Sequence, residues 1–255
     1  MATYTSFSTL LTGVAHAQSY ICPAHLVDLG YAKHVPIWTN VTATGTKLLN
    51  YNNIRYAHTP SGPLRFRKPE TPPTYQNGIR SDNRNSWETD CISSAPQSVP
   101  FPLISGSTWG GEDCLFLNVI KPRNAKEGDE LPMSHTITAI GWTKKHIHKF
   151  GGDADRITAI GHSAGAGKLT WLLLGEEGNL TLPFGQAWVS SPAIPPRRNL
   201  ERSRPVFDFF LNATSCETAD CMRRVPESTI RDANKMIMEQ VPSAGGGSLG
   251  IVVGR

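Results

Sequence analysis

The sequence has little of what membrane, nucleic-acid-binding and zinc proteins need. No apolar run approaches the roughly 20 residues that cross a bilayer, so no membrane span is expected. The net charge is only +4, without a long basic block, which argues against nucleic acid as a partner. None of the five cysteines belongs to a CxxC pair, which argues against zinc. We therefore expect no metal or other cofactor.

What is present indicates a globular chain with two distinct ends. A hydrophobic content of 39% over 255 residues is enough for a substantial core. Residues 1–17 end in Ala15-His16-Ala17, a small-x-small cleavage pattern, but no Lys or Arg precedes the apolar part. A candidate signal peptide and an unstructured terminus are both compatible with this. Residues 241–255, which contain a glycine run, form an atypical tail, and residues 18–240 remain as the main domain.

Cysteines and glycosylation sequons offer weak evidence on location. Five cysteines allow two disulfides and one odd thiol, and Cys22 is the best candidate for the unpaired one. Sequons at Asn40, Asn179 and Asn212 would suit a secreted glycoprotein, although this composition produces about two by chance.

Apolar patterns predict an alternation of strands and helices in the middle of the chain. Turn residues separate these segments, which favours an α/β arrangement. The predicted elements are a strand at Glu112–Ile120 before a turn at Lys121-Pro122, a helix at Thr138–Phe150 that stops at Gly151-Gly152, a turn at Asp153–Arg156, strands at Ile157–Ile160 and Ala187–Ser190, and helices at Gly167–Leu174 and over most of Glu201–Glu239.

A Gly-x-Ser-x-Gly pattern lies between one of these strands and the next helix. It places Ser163 on a sharp turn between Gly161 and Gly165, the positions where neighbouring side chains must be absent. The turn would expose the serine hydroxyl, and the backbone N–H of Ala164 would face the oxygen of an attacked carbonyl, as one oxyanion-hole donor. Alone, the pattern arises by chance in roughly one chain in ten. The strand before it and the helix after it favour a nucleophile elbow.

Four blocks of sequence resemble one known family. FGGDADRITAIGHSAGAG, Phe150 to Gly167, is similar to the nucleophile segment of type-B carboxylesterases and cholinesterases. Asn52 to Glu70 resembles an early block of that family, and Cys91 with Gly110 to Pro122 resembles its second signature. Ser190 through Cys221 is similar to the region after the nucleophile. The likeness covers roughly residues 45–240.

The resemblance implies an incomplete α/β-hydrolase fold with a mostly parallel sheet flanked by helices. It implies hydrolysis of a small-molecule carboxylic ester through an acyl-serine on Ser163, in a secretory or extracellular setting. It also implies disulfides Cys91–Cys114 and Cys216–Cys221 and a buried, salt-bridged acidic pair before Cys114. A buried free thiol at Cys114, and reduced surface thiols at Cys216 and Cys221, remain alternatives.

Other parts of the family's machinery are missing from these residues. All eight histidines precede Ser163, whereas this fold places the acid and then the histidine after the serine. His162, on the same turn as Ser163, is poorly placed to be its base, and we assign no acid. The family's His-Gly-Gly oxyanion loop is also absent, because Leu131-Pro132 runs almost directly into the helix before the elbow. We therefore expect a truncated and internally shortened chain with weak or no activity.

A non-catalytic binding or adhesion-like protein on the same fold is the alternative function. Relatives of that kind commonly lose the nucleophile, so the retained serine in a full elbow favours enzyme ancestry. Substrate identity and oligomeric state are not determined by the sequence.

Overall fold

The computed structural model describes residues 25–75, 78–80, 82–97, 102–129, 131–135, 140–174, 182–194 and 200–240. At 130–135, 200, 202 and 240 no side chain is described. The predicted ends at 1–17 and 241–255 lie outside the described residues, as does Cys22.

The described residues form ten strands and six α-helices. The strands are β1 Val27–Asp28, β2 Lys33–His34, β3 Trp38–Val41, β4 Lys47–Arg55, β5 Ser93–Ser94, β6 Thr108–Trp109, β7 Phe116–Pro122, β8 Leu131–His135, β9 Gly152–His162 and β10 Gln186–Ser190. The helices are α1 Ser86–Thr89, α2 Ile140–His146, α3 Ala164–Leu173, α4 Leu200–Ala213, α5 Ala219–Arg224 and α6 Glu227–Gln240. None of these helices is both long and apolar enough to cross a membrane.

An antiparallel sheet carries the larger core. Its strand order is β3-β4-β7, and β7 alternates between inward and outward residues, which is typical of a sheet with one covered face. Tyr51 and Ile54 of β4 and Val119 of β7 are almost fully buried. The Tyr51 ring meets Phe150 edge to face, with ring centroids 5.2 Å apart. Phe150 ends the 3₁₀ turn after α2, so this helix covers the sheet.

A smaller, parallel sheet has the strand order β10-β9-β8. Leu169 of α3 packs on Ala159 of β9, and both side chains are fully buried. The expectation of a mostly parallel sheet is therefore correct for these three strands alone, because the other strand pairings in the described residues are antiparallel. The sequence also missed β8, which lies where the shortening was expected.

Two predicted boundaries were wrong. The strand predicted at Glu112–Ile120 begins at Phe116 and continues through the predicted Lys121-Pro122 turn. Lys121 lies in the sheet because it pairs with Leu49 of β4, and its buried ammonium donates to the Ala125 carbonyl at 2.8 Å. The turn predicted at Asp153–Arg156 is instead extended backbone within β9. Its polar residues bond to one another, as when the Asp155 N–H donates to Asp153 at 2.7 Å, and the register with β8 shifts across them, from Gly152 opposite Leu131 to Ile157 opposite Met133.

The structure contains both disulfides, Cys91–Cys114 and Cys216–Cys221.

The helical C-terminal stretch was predicted correctly and is attached through a buried arginine. Arg65 pairs with Glu112 and donates to the Val225 carbonyl beyond α5 at 2.9 Å. Asp113 pairs with Arg55 at 2.6 Å. Both acidic residues are thus salt-bridged and partly buried, and Glu112 is the more covered of the two, with 11% of its side chain exposed against 38% for Asp113.

Candidate active site

Ser163 occupies a strained turn between β9 and α3. Its backbone angles are φ 51° and ψ −118°, in a region that non-glycine residues rarely adopt and that is typical of functional turns. β9 ends at His162 and α3 begins at Ala164. The Ser163 side chain is exposed and does not cap the helix, so its hydroxyl is not used for local structure. The predicted order of strand, tight turn and helix is thus present.

The end of β10 holds this turn in place. The Ser163 N–H donates to the Ser190 carbonyl at 3.1 Å, and the Ser163 carbonyl accepts from the N–H groups of Gly167 and Ala193, both at 3.0 Å. These bonds join the elbow to the neighbouring strand as well as to its own helix. Sequence reasoning did not identify Ser190 and Ala193 as positioning residues, because a backbone contact between distant segments leaves no local pattern.

The glycines around the serine have different roles. A Cβ on Gly161 would lie 2.6 Å from the Gly165 carbonyl oxygen, so the turn requires glycine there. A Cβ on Gly165 would meet open space, which corrects the expectation that both elbow glycines are needed for room. Gly167, which we did not single out, faces the Ala193 backbone so closely that a Cβ would collide with it. A glycine in the first turn of a predicted helix was the available signal.

The His162 ring contacts Ser190 rather than Ser163. Its Nδ1 lies 3.4 Å from the Ser190 hydroxyl, and its register partner on β10 is Ser190. Among the described side chains, no histidine forms a hydrogen bond with Ser163. That His162 is not the base of an elbow serine therefore stays a prediction.

Two other histidines are buried in the antiparallel region. Burial lowers the pKa of His34 to about 4 and, helped by nearby cations, that of His146 to about 4, so both rings are neutral at pH 7. His146 packs against Trp142 and Tyr31, as a core residue does. Within the described ranges, no group of three or more His, Cys, Asp and Glu residues is arranged to hold a metal.

Two acidic residues after the elbow form ion pairs along their own helices. Asp208 pairs with Arg204 at 2.8 Å along α4, and Glu227 pairs with Arg231 at 3.0 Å along α6. In the described part of the chain, the site therefore consists of an exposed serine, the first N–H groups of α3 and a backbone frame from β10.

Comparison with known proteins gives one consistent answer. A model of the carboxylesterase family matches residues 39–134 and 131–253. Carboxylesterase patB of Penicillium expansum is 23% identical over 327 aligned residues, covering 87% of this chain and 58% of that protein. The inactive carboxylesterase-like protein VdtD of Byssochlamys spectabilis is 30% identical over 129 residues, covering 46% of this chain and 22% of that protein.

Solved structures agree at the level of the fold. The crystal structure of Aspergillus niger EstA superposes with a TM-score of 0.63 at 24% identity, covering 82% of this chain and 50% of that one. This likeness shows that the chain shares the fold of those proteins, which is the α/β-hydrolase fold. The chain thus spans about half the length of this structure.

The comparisons also locate the shortening. The alignment with patB is longer than the 255 residues of the chain, so at least 72 of its 327 positions have no counterpart here. The two matched segments of the family model meet at residues 131–134, where the sequence led us to expect a shortening near Pro132.

Proposed function

Because the chain belongs to the carboxylesterase family, we propose that Ser163 is a nucleophile that accepts the acyl group of a small carboxylic ester. The observation that carries this proposal is the strained backbone of Ser163, whose hydroxyl stays exposed and takes no part in capping α3. Strain of this kind persists only where the surrounding structure holds it, and here three backbone hydrogen bonds do so.

The reaction follows from the position of the turn. The Ser163 oxygen attacks the ester carbonyl carbon, and its proton passes to a base as the carbonyl oxygen becomes an oxyanion. The Ala164 N–H, unpaired within α3 because it lies in the first turn, donates to that oxyanion. The C–O bond to the alcohol then breaks, the alcohol leaves with a proton, and water releases the acid from the acyl-serine.

The proton transfer is the weak step for these 255 residues. No described histidine contacts Ser163, and loss of the base in a serine triad typically slows turnover by about six orders of magnitude. We therefore expect a serine that is labelled slowly by strong electrophiles and that turns over ester substrate no faster than its alanine variant.

The test is to label the purified 255-residue chain with a fluorophosphonate and to measure hydrolysis of a short-chain aryl ester. Ser191→Ala is a matched control, since Ser191 is also exposed and also has a positive φ, 46°. We expect weak labelling that disappears in Ser163→Ala and survives in Ser191→Ala. Equal labelling of wild type and Ser163→Ala would refute the nucleophile. Fast hydrolysis that is lost in Ser163→Ala would refute the expectation that the chain turns over ester no faster than this variant.

A non-catalytic role on the same fold is the second candidate. It is supported by the absence of a base beside Ser163 among the described residues and by the similarity to VdtD, a protein named as inactive. A folded chain that resists labelling completely would favour it. The two disulfides support a secretory location for either function.

A further inference from the structure

A cavity of about 270 Å³ lies beside the antiparallel sheet, and no residue of the elbow lines it. Its walls combine aromatic rings with cationic and polar side chains. Prominent among them are Tyr31, His34, Arg55, Tyr75, Arg80 and Phe116. Sites for small ligands are usually about 300–1,000 Å³, with apolar walls and a few polar groups, so this cavity has room for a single-ring molecule.

One positive charge in the wall is not compensated. Arg55 is neutralised by Asp113 at 2.6 Å, and the lining residue Asp82 is neutralised by Arg84, also at 2.6 Å. Arg80 stacks on the Tyr75 ring, 4.0 Å from its centroid, and forms no ion pair within the described residues. An anion in the cavity would therefore meet a guanidinium that needs no rearrangement of existing salt bridges.

A buried imidazole in the same wall can report whether the cavity is occupied. His34 is only 4% exposed, and its Nε2 has no hydrogen-bond partner among the described residues. Buried polar atoms are normally hydrogen-bonded, to protein or to a guest molecule or water. Because the pKa of His34 is lowered to about 4 by burial, the ring adds no charge at pH 7 and the sign of the cavity is set by Arg80.

We propose that this cavity binds a small aromatic carboxylate, with its carboxylate on Arg80 and its ring between the aromatic walls. A guanidinium takes a carboxylate through two parallel hydrogen bonds, which distinguishes this anion from a spherical one. Aromatic rings pack favourably edge to face or offset, and three of the prominent lining residues supply such rings. The proposal does not depend on Ser163.

The test is a titration of the 255-residue chain with benzoate, followed by calorimetry and by the His34 imidazole signals in NMR. Benzamide, the neutral isostere, serves as the control ligand. Arg80→Gln removes the charge at an exposed position, so folding should be unaffected, and Arg67→Gln is the matched control at another exposed arginine. Ser163→Ala separates this site from the elbow.

We expect saturable benzoate binding that shifts the His34 signals and is unchanged in Arg67→Gln and Ser163→Ala. Arg80→Gln and the change to benzamide should each weaken binding at least tenfold, as loss of a charge-assisted hydrogen bond does. No saturable binding, equal binding of benzamide, wild-type affinity in Arg80→Gln, or binding that leaves His34 unmoved would each overturn the proposal.

Discussion

The two main sheets of this protein differ in how well they are covered. Among the side chains that the structure describes, which exclude those of β8, ten buried residues form one cluster around the antiparallel sheet and three form the cluster beside the parallel sheet. On β10, Trp188 is 65% exposed, and its register partner on β9, Ile160, is 37% exposed. Parallel sheets normally have both faces covered. Ser163 thus stands beside the sheet whose described strands β9 and β10 carry the more exposed apolar residues.

This difference shows that the elbow and the stability of the chain are supported separately. Backbone hydrogen bonds to β10 fix the angles of Ser163, while most apolar burial lies around β4 and β7. A local turn needs only a few contacts to hold its shape, whereas folding free energy accumulates with buried area. Changes in the antiparallel region should therefore act on stability, and changes in the elbow should act on reactivity.

The largest effect is expected from breaking the buried ion pair in the antiparallel region. Arg65→Met leaves Glu112 buried without its partner and removes the bond to the Val225 carbonyl. We expect the free energy of unfolding, measured with urea, to fall by about 3–5 kcal/mol. The exposed pair of Arg204 with Asp208 is the control, since Arg204→Met should change stability by less than about 1 kcal/mol. Similar losses for both would mean that burial does not decide how much an ion pair contributes to the stability of this chain.

A smaller effect is expected from pH. The pKa of folded His34 is about 4, below the value of about 6.5 in an unfolded chain, so the unfolded chain binds more protons between these values. The contribution of His34 to the free energy of unfolding should be fully present above pH 6.5, and about 2–3 kcal/mol of it should be lost as the pH drops to 4. His146 should contribute a similar slope.

Urea unfolding measured from pH 7.5 to 4 checks this. His34→Gln should remove about half of the pH slope, and His146→Gln should remove a similar part. An unaltered slope in His34→Gln would show that this imidazole is not held neutral by burial.

The smallest stability effect, with the largest effect on reactivity, is expected within the elbow. Gly161→Ala places a methyl group 2.6 Å from the Gly165 carbonyl oxygen. It should therefore lower the free energy of unfolding by about 1–3 kcal/mol and abolish labelling of Ser163. Gly165→Ala enters open space inside α3 and should gain up to about 1 kcal/mol while labelling persists. Thermal unfolding and fluorophosphonate labelling of both variants test this difference. Identical behaviour of the two variants would contradict the claim that Gly161 is crowded and Gly165 is not.

Much of the site was predictable, because its signals are local. The apolar strand before Ser163 and the helix after it follow from neighbouring residues, and the stop of the preceding helix at Gly151 follows from a glycine with φ 88°. The family resemblance supplied the cysteine pairs that the structure contains. Boundaries failed where distant contacts decided them, as at Lys121, which belongs to β7 because it pairs with Leu49 of β4.

The sequence by itself determined the order of strand, serine and helix, since each depends on residues close along the chain. Only the tertiary structure decided that Ser190 and Ala193 hold the turn, that Gly161 is crowded while Gly165 is not, and that the charge of Arg80 faces a cavity without a carboxylate partner in the described residues. These properties arise where segments far apart in sequence meet, and no local pattern records such a meeting.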